Sequence, residues 1–236
     1  MEWTDEGILL SVRRHGETAT VVSLLTHAHG RHAGLVRGGA GKALRGLLQP
    51  GNRLKAAWKA RLAEHLGSFT CEPADAFGTA WLHDPLRLAG IAAACALAEA
   101  TLPEREPHPT AYEGLVGLLA SFEEADWPAL YVRWELGLLG ELGFGLDLSR
   151  CAATGTVEDL AFVSPRSGRA VSLAAGQPYR EKLLVLPGFL TGKAADPGEV
   201  VAGLALTGYF LDRHVLGPQG KRLPGARSRL VERLKP

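Results

Sequence analysis

The chain has 236 residues, of which 46% are hydrophobic and 22% charged, and its formal net charge is +1. This composition is ordinary for a soluble folded protein, and the length suits one large domain or two to three small ones. The longest apolar run, residues 88–98, is too short to cross a membrane, and acids stand where a signal peptide carries positive charge. We therefore expect a cytoplasmic protein with no membrane partner. Its three widely spaced cysteines predict reduced thiols.

The charges are sorted along the chain. Residues 8–61 carry ten Lys or Arg against one acid, residues 84–159 carry four against thirteen, and residues 213–236 carry seven against one. Basic ends around an acidic middle indicate that the ends face a polyanion, while the middle faces something else, such as a protein.

Short runs of strand-forming residues dominate residues 1–78, where turn signals such as His29-Gly30 and Pro50-Gly51 separate them. Five strands in so short a stretch predict a small closed barrel of the oligonucleotide/oligosaccharide-binding (OB) type. An SH3-like barrel fits the pattern almost as well. The predicted strands cover residues 7–13, 18–25, 32–37, 53–58 and 68–71.

Helices are predicted from residue 79 onward, which makes the whole chain α+β with a helical domain over residues 79–236. Asp84-Pro85 supplies an N-cap and a first-turn proline to the first helix, and Thr110 with Glu113 predicts a capping box for the second. A third helix follows Asp126, and three helices in sequence predict a bundle.

The rest of the chain returns to short elements. Residues 150–173 are rich in turns, and a further helix is predicted from Asp196 to about His214. Residues 213–236 form a basic C-terminal segment with a loop and a short helix.

The basic residues of the predicted barrel are the candidate nucleic-acid site. They would attract phosphates and release counterions, and the ring of Trp58 or Phe69 would offer a stacking face to an unpaired base. The alternative is a solvated surface that happens to be basic, which a single acid among so many cations disfavours. The predicted binding residues are Arg13, Arg14, Arg31, Arg37, Lys42, Arg45, Arg53, Lys55, Trp58 and Lys59.

Two nearby patterns resemble ligand sites but lack essential residues. Residues 37–42 have the glycines of a phosphate loop, but Val36 and Ala43 stand where a glycine and a hydroxyl residue are required. We expect a mobile glycine-rich hairpin with two cations there, which serves either as a DNA contact or as a plain turn. The histidines at 27, 29 and 32 have no carboxylate or cysteine near them in the chain to complete a metal set, so we expect them to supplement the basic surface.

Cys151 and Thr154, followed by Ser164 and Ser167, have the register of two Cys-x-x-Cys knuckles. Three of the four ligand positions hold hydroxyl residues, which do not replace thiolates on zinc. Residues 150–173 therefore predict a degenerate zinc knuckle that packs as a hairpin without metal, and we expect no cofactor.

The sequence contains no nucleophile elbow, no zincin helix, no catalytic pair of carboxylates at close helical spacing and no Rossmann fingerprint. We therefore expect a binding protein rather than an enzyme. An unrecognised hydrolase with a convergent triad is the alternative, because such triads need no sequence signature.

Taken in order, several segments resemble the RecO family over essentially the whole chain. No single segment is diagnostic, and their order carries the resemblance. It implies an N-terminal OB-fold, a central helical domain and, in many members, a zinc knuckle whose cysteines this sequence has mostly lost. The matching segments are residues 6–10, 29–31, 34–39, 48–51, 133–145 and 151–155.

The resemblance further implies a recombination mediator of the RecF pathway of bacterial DNA repair. Such a protein binds single-stranded DNA, anneals complementary strands and associates with the nucleoid. With its partner RecR it helps load RecA, an indirect partner, onto strands covered by single-stranded-DNA-binding protein (SSB). An OB-fold RNA-binding module of translation or RNA processing is the alternative function.

The resemblance also implies that the helical domain takes the acidic C-terminal tail of SSB. Arg133 is the candidate to pair with the terminal carboxylate of that tail, because a planar guanidinium can bind both oxygens. The alternative is a surface ion pair of Arg133 with Glu135 or Glu141.

Overall fold

The computed structural model describes residues 1–194 and 196–235. The chain divides into two compact units. The first comprises Met1–Phe122 and Pro224–Arg227, and the second takes Glu123–Leu223 and the residues from Ser228 on. No helix among the described residues is long and apolar enough to cross a membrane.

Five strands in the first unit close into a barrel. They are β1 (Glu2–His15), β2 (Ala19–Thr26), β3 (Gly30–Val36), β4 (Arg53–Lys59) and β5 (Ser68–Asp75). Their order around the barrel is β1-β2-β3-β5-β4, and β4 pairs back onto β1. The neighbouring pairs are antiparallel except β3 and β5, which meet in parallel at Leu35 and Ser68. This topology confirms the predicted OB-fold over the SH3-like alternative.

The barrel core follows from the alternation of its strands. In β4, Leu54, Ala56 and Trp58 are buried, whereas the intervening residues are exposed or half-buried. Gly34 has no side chain where Phe69 packs, since a Cβ there would lie 2.4 Å from the Phe69 ring. Aliphatic side chains fill the rest of this core, among them Leu9, Val22, Leu24, Val36 and Leu48.

The helices begin close to the predicted positions. They are α1 (Phe77–Ala80), α2 (Pro85–Thr101), α3 (Pro109–Ala120), α4 (Trp127–Glu141), α5 (Leu173–Gly176), α6 (Pro197–Phe210) and α7 (Gly225–Leu234). The Asp84 side chain accepts hydrogen bonds from the Leu86 and Arg87 amides, which confirms the predicted cap of α2. Asp196 caps α6 in the same way through the Glu199 amide.

One helix prediction is wrong. The predicted capping box at Thr110 is absent because α3 begins two residues earlier than that cap requires, with His108 at the N-cap and no side-chain cap bond. Within the first unit, helix α2 packs against β1 and β2 of the barrel, and within the second unit α4 packs against α6.

The second unit joins these helices to a small sheet. Its strands β6 (Leu160–Val163), β7 (Ala170–Ser172) and β8 (Leu184–Val185) lie in the order β7-β6-β8. Between α4 and α6, the Thr207 hydroxyl donates a hydrogen bond to the buried Glu135 carboxylate. Single turns and irregular helical segments complete the chain at Lys42–Leu44, Ser121–Glu123, Gln177–Lys182, Gly188–Thr191, Leu211–Leu216 and Gly217–Gln219.

Candidate nucleic-acid interface

One end of the barrel collects cations from two separate loops. The strand registers place Arg14 opposite Thr20 and Thr20 opposite Val36, so Arg14 and Arg37 lie at the same end. The loop after β3 folds back toward β2, with the Ala40 amide donating to the Thr18 carbonyl at 3.1 Å. Its single helical turn, Lys42–Leu44, then holds Lys42 beside this end.

A groove of about 490 Å³ lies next to this loop. Val36, Leu48 and Phe69 form its apolar floor, and Arg37 and Lys59 stand among its lining residues. Cations around an apolar cleft suit a nucleic-acid strand, because phosphates meet the charges while bases meet the floor.

The predicted cations fall into three groups by their partners. Within residues 1–194 and 196–235, no carboxylate lies within ion-pairing distance of five exposed members, Arg14, Arg37, Lys42, Arg45 and Lys55. Two others form exposed surface pairs, Arg13 with Glu99 at 3.3 Å and Lys59 with Glu2 at 3.4 Å. Such exposed pairs contribute little stability, so both cations remain free to exchange partners.

Arg31 and Arg53 are already used by the fold. The Arg31 Nε donates to the Leu102 carbonyl at 2.9 Å, and its Nη1 lies 3.0 Å from the Glu104 carboxylate. Arg53 pairs with Asp75 on β5 at 2.5 Å and with Glu6 on β1 at 3.8 Å. We therefore assign both guanidinium groups to holding the first unit together.

The sheet also places acids beside β4 that a count along the chain does not reveal. Lys55 lies between Glu6 of β1 and Glu72 of β5 in the strand registers. The unpaired cations of the β3–β4 loop are therefore the strongest candidates for contacts with nucleic acid. These are Arg37, Lys42 and Arg45.

Trp58 does not offer the predicted stacking face. Its side chain is only 2% exposed, and its Nε1 donates to the Leu66 carbonyl at 3.0 Å. The alternation of side chains along β4 could have predicted this burial, because Trp58 lies on the opposite face of the strand from Lys55 and Lys59. Phe69 is also largely buried, although its ring lines the groove.

The three clustered histidines have three different environments. His27 lies 3.5 Å from Glu113, and His29 stacks on Trp3 and lies 3.1 Å from Asp5. Carboxylates distant in sequence therefore do approach this cluster. No group of three potential metal ligands forms among the described residues.

His32 does not supplement the basic surface as predicted. It is buried among the rings of Trp3, Trp58 and Phe69, and neither of its ring nitrogens has a hydrogen-bond partner. Burial, reinforced by the positive charge of Arg105, lowers the pKa of His32 to about 4.

Arg133 is exposed on α4, and its described partner is not one of the two glutamates of the alternative surface pair. Its Nη2 donates to the Phe189 carbonyl at 3.0 Å, and the guanidinium lies 5.9 Å from the centre of the Phe189 ring. Glu135 is buried and cannot serve as a surface partner. The described hydrogen bond uses one of five guanidinium N–H groups, which leaves capacity for a carboxylate.

The knuckle positions form two backbone turns of the same kind. The Gly155 amide donates to the Cys151 carbonyl and the Gly168 amide to the Ser164 carbonyl, both at 2.9 Å. Both glycines have positive φ, at 74° and 67°. Burial raises the pKa of the Cys151 thiol, but hydrogen bonds with Ser172 and Thr154 outweigh it and bring the pKa to about 6. One thiol with hydroxyl neighbours does not fit zinc.

The fold, an OB barrel followed by a helical domain, defines the class of protein. Comparison with known proteins then identifies the family. The family model for the N terminus of recombination protein O matches residues 1–77, and the model for its C terminus matches residues 82–223. The chain therefore belongs to the RecO family.

Curated relatives agree over the full length. The DNA repair protein RecO of Rhodospirillum centenum is 54% identical, over 100% of this chain and 95% of the relative. The RecO proteins of Rhodospirillum rubrum and Phenylobacterium zucineum are 52% and 51% identical, over 100% and 99% of this chain and 97% and 98% of theirs. The protein acts in DNA repair and recombination, and the RNA-binding alternative is not favoured.

Proposed function

We propose that this protein binds single-stranded DNA at the cationic end of its barrel and acts there as a non-enzymatic recombination mediator. The observation that supports this most directly is the group of unpaired cations at Arg37, Lys42 and Arg45, beside the groove floored by Val36 and Phe69.

The physical chemistry of these cations favours a polyanion. Exposed arginines and lysines without acid partners keep their charge available for phosphates, and each phosphate contact releases condensed counterions. The helical turn that carries Lys42 is only three residues long, Lys42–Leu44, which is too short to serve as a base-reading helix. Binding should therefore have little sequence preference.

The family supplies the biological setting of the proposal. The protein anneals complementary strands and, with RecR, helps RecA to load on SSB-coated DNA, which brings it to the nucleoid. Binding free energy, rather than bond-making chemistry, carries these steps. The SSB tail binds at Arg133, whose guanidinium has N–H groups left for the terminal carboxylate.

Two measurements test the proposal. A fluorescent single-stranded oligonucleotide is titrated at several salt concentrations, where we expect affinity to fall steeply as salt rises. Annealing of complementary strands is then followed on bare and on SSB-coated DNA, where we expect acceleration in both cases. A salt-independent affinity contradicts the cationic interface, and annealing on bare DNA alone contradicts the mediator role.

A further inference from the structure

The β3–β4 loop, residues 37–52, ends in a turn that one buried side chain holds in place. Asn52 is only 3% exposed, and its Nδ2 donates hydrogen bonds to the carbonyls of Gly46 and Leu47 at 2.9 and 3.0 Å. Both donor hydrogens of this carboxamide are therefore used on the stretch of loop that directly follows Arg45.

The oxygen of the same carboxamide is tied to the core of the first unit. The Asn52 Oδ1 accepts a hydrogen bond from the Gly78 amide in α1 at 2.9 Å, and the Asn52 carbonyl accepts one from the Leu9 amide of β1 at 2.9 Å. A Cβ on Gly78 would lie 2.2 Å from the Pro50 carbonyl oxygen, so the turn and α1 are in close contact. Asn52 therefore connects the β3–β4 loop to both the barrel and α1.

Gln49 adds a further side-chain bond to the same stretch. Its Nε2 donates to the Arg45 carbonyl at 2.7 Å. The backbone closes the stretch as well, because the Leu48 amide donates to the Leu44 carbonyl at 2.8 Å. The carbonyls of residues 45–47 thus each accept a hydrogen bond from a side-chain amide of the turn that ends the loop.

Open space adjoins this stretch on two sides, so packing alone does not fix it. Leu44 and Leu47 line the groove of about 490 Å³ described above. They also line a second cleft of about 400 Å³, which residues of β4 and β5 line on its other side. A void removes the contacts that hold a well-packed segment in one place. The hydrogen bonds from Gln49 and Asn52 are therefore the interactions that hold residues 45–47.

We propose that Asn52 is a positioning residue for the binding of single-stranded DNA, with Gln49 in an auxiliary role. The two carboxamides hold the loop that carries Lys42 and Arg45 in one conformation before a strand arrives. This inference rests on the proposed binding of single-stranded DNA at this end of the barrel. A loop that is already ordered loses less conformational entropy on binding, which raises affinity without any contact between Asn52 and the strand.

The first test measures affinity and salt dependence together. Wild type and Asn52→Ala are titrated with a fluorescent single-stranded oligonucleotide at several salt concentrations. We expect about ten-fold weaker binding by the variant, equivalent to about 1.4 kcal/mol. The slope of log affinity against log salt should stay the same, because the same cations reach the same phosphates once the loop is ordered. Gln49→Ala, which removes a single bond to the loop, should weaken binding by about three-fold.

Thr26→Ala is the matched control. Thr26 is also buried, and its hydroxyl donates to the Gly30 carbonyl and accepts from the His29 amide, at the opposite end of the barrel. This variant removes a comparable buried polar side chain without touching the β3–β4 loop, so it should lower stability but not DNA affinity. Urea denaturation gives the folded fraction of each variant, and affinities are compared at equal folded concentration.

A double-mutant cycle separates positioning from a general effect on the fold. In the background Arg37→Ala/Lys42→Ala/Arg45→Ala, the change Asn52→Ala should not weaken DNA binding further, because the cations that Asn52 positions are gone. Tryptic cleavage after Lys42 and Arg45 should also be faster in Asn52→Ala than in wild type or in Thr26→Ala, and an excess of oligonucleotide should slow it.

Each result decides the inference. Wild-type DNA affinity of Asn52→Ala overturns it, and so does an equal further loss of affinity in the background that lacks the three cations. If Asn52→Ala does not fold, Gln49→Ala takes its place in the cycle, and unchanged affinity there overturns the inference. If the wild type binds no single-stranded DNA, the proposed function itself fails, whereas tight wild-type binding with unaffected variants overturns this inference alone.

Discussion

The Arg31 guanidinium binds the Glu104 carboxylate at 3.0 Å, although the two residues are far apart in sequence. A cation that a sequence count assigns to DNA is thus used to hold the segment between α2 and α3 on the barrel. The Arg31 side chain is only 15% exposed, so its ion pair with Glu104 is partly shielded from water.

Arg31→Ala should therefore destabilise the first unit rather than weaken phosphate binding. We expect a loss of about 1.5 to 3 kcal/mol in the free energy of unfolding, as for hydrogen bonds to a charged group. Urea denaturation measures it, with Arg37→Ala as the control that should leave stability unchanged. A variant of full stability and reduced DNA salt slope would return Arg31 to the interface.

Arg37→Ala/Lys42→Ala/Arg45→Ala should weaken single-stranded DNA binding and flatten its salt dependence. For three phosphate contacts the slope of log affinity against log salt should become shallower by about two units. The matched control is Arg166→Ala/Arg180→Ala/Lys182→Ala, which removes the same charge from exposed positions of the second unit. An equal effect of both triple variants would indicate a response to net charge rather than a localised interface.

Arg133→Ala should weaken binding of an SSB-tail peptide by about 1.5 to 3 kcal/mol, because the terminal carboxylate loses a charged donor. Binding to bare DNA should stay nearly the same. The peptide is titrated by fluorescence against the variant and against Arg133→Lys. The lysine keeps the positive charge but lacks the planar guanidinium that can bind both carboxylate oxygens. Unchanged tail affinity in Arg133→Ala shows that this residue has been assigned wrongly.

The purified protein should contain no stoichiometric zinc and should stay folded in a chelator. Thr154, Ser164 and Ser167 occupy the positions where thiolates are needed, and the turns close through backbone bonds. Elemental analysis and circular dichroism with and without chelator measure this. One equivalent of tightly held metal would contradict it.

Stability should fall on acidification because of His32. The pKa of His32 is lowered to about 4 in the folded state, whereas an unburied histidine has a pKa of 6.5. At pH values between these two, the unfolded chain therefore binds a proton more readily than the folded protein does. The stability that the fold gains while His32 is neutral is fully present above pH 6.5 and is lost as the pH falls toward 4. It amounts to at most about 3 kcal/mol.

His32→Leu removes the titrating group and should flatten this part of the pH profile. It should retain stability at neutral pH, because neither ring nitrogen of His32 has a hydrogen-bond partner to lose. Unfolding free energies from pH 4 to 8 are compared with the wild type. An unchanged slope in the variant assigns the pH dependence to other groups.

Sequence alone determined the five barrel strands, the caps of α2 and α6 and the fold class, because the signals for strands, turns and caps are local. Alternation in β4 and the Asp84 and Asp196 caps each act within a few residues. The order of the short matching segments was likewise sufficient to identify the family. The capping box at Thr110 failed because the signals for a helix start overlap within one turn.

Tertiary structure alone decided which cations are free. Arg31 and Arg53 meet their carboxylates through pairings between distant segments, and Glu6 stands opposite Lys55 in the sheet only because β1 lies beside β4. The hydrogen bonds of Arg105 were equally hidden, since its guanidinium donates to the backbone carbonyls of Glu64 and His65, which are 41 and 40 residues away in the chain. Charge counted along a chain ignores these long-range neighbours, and electrostatic interactions depend on distance in space.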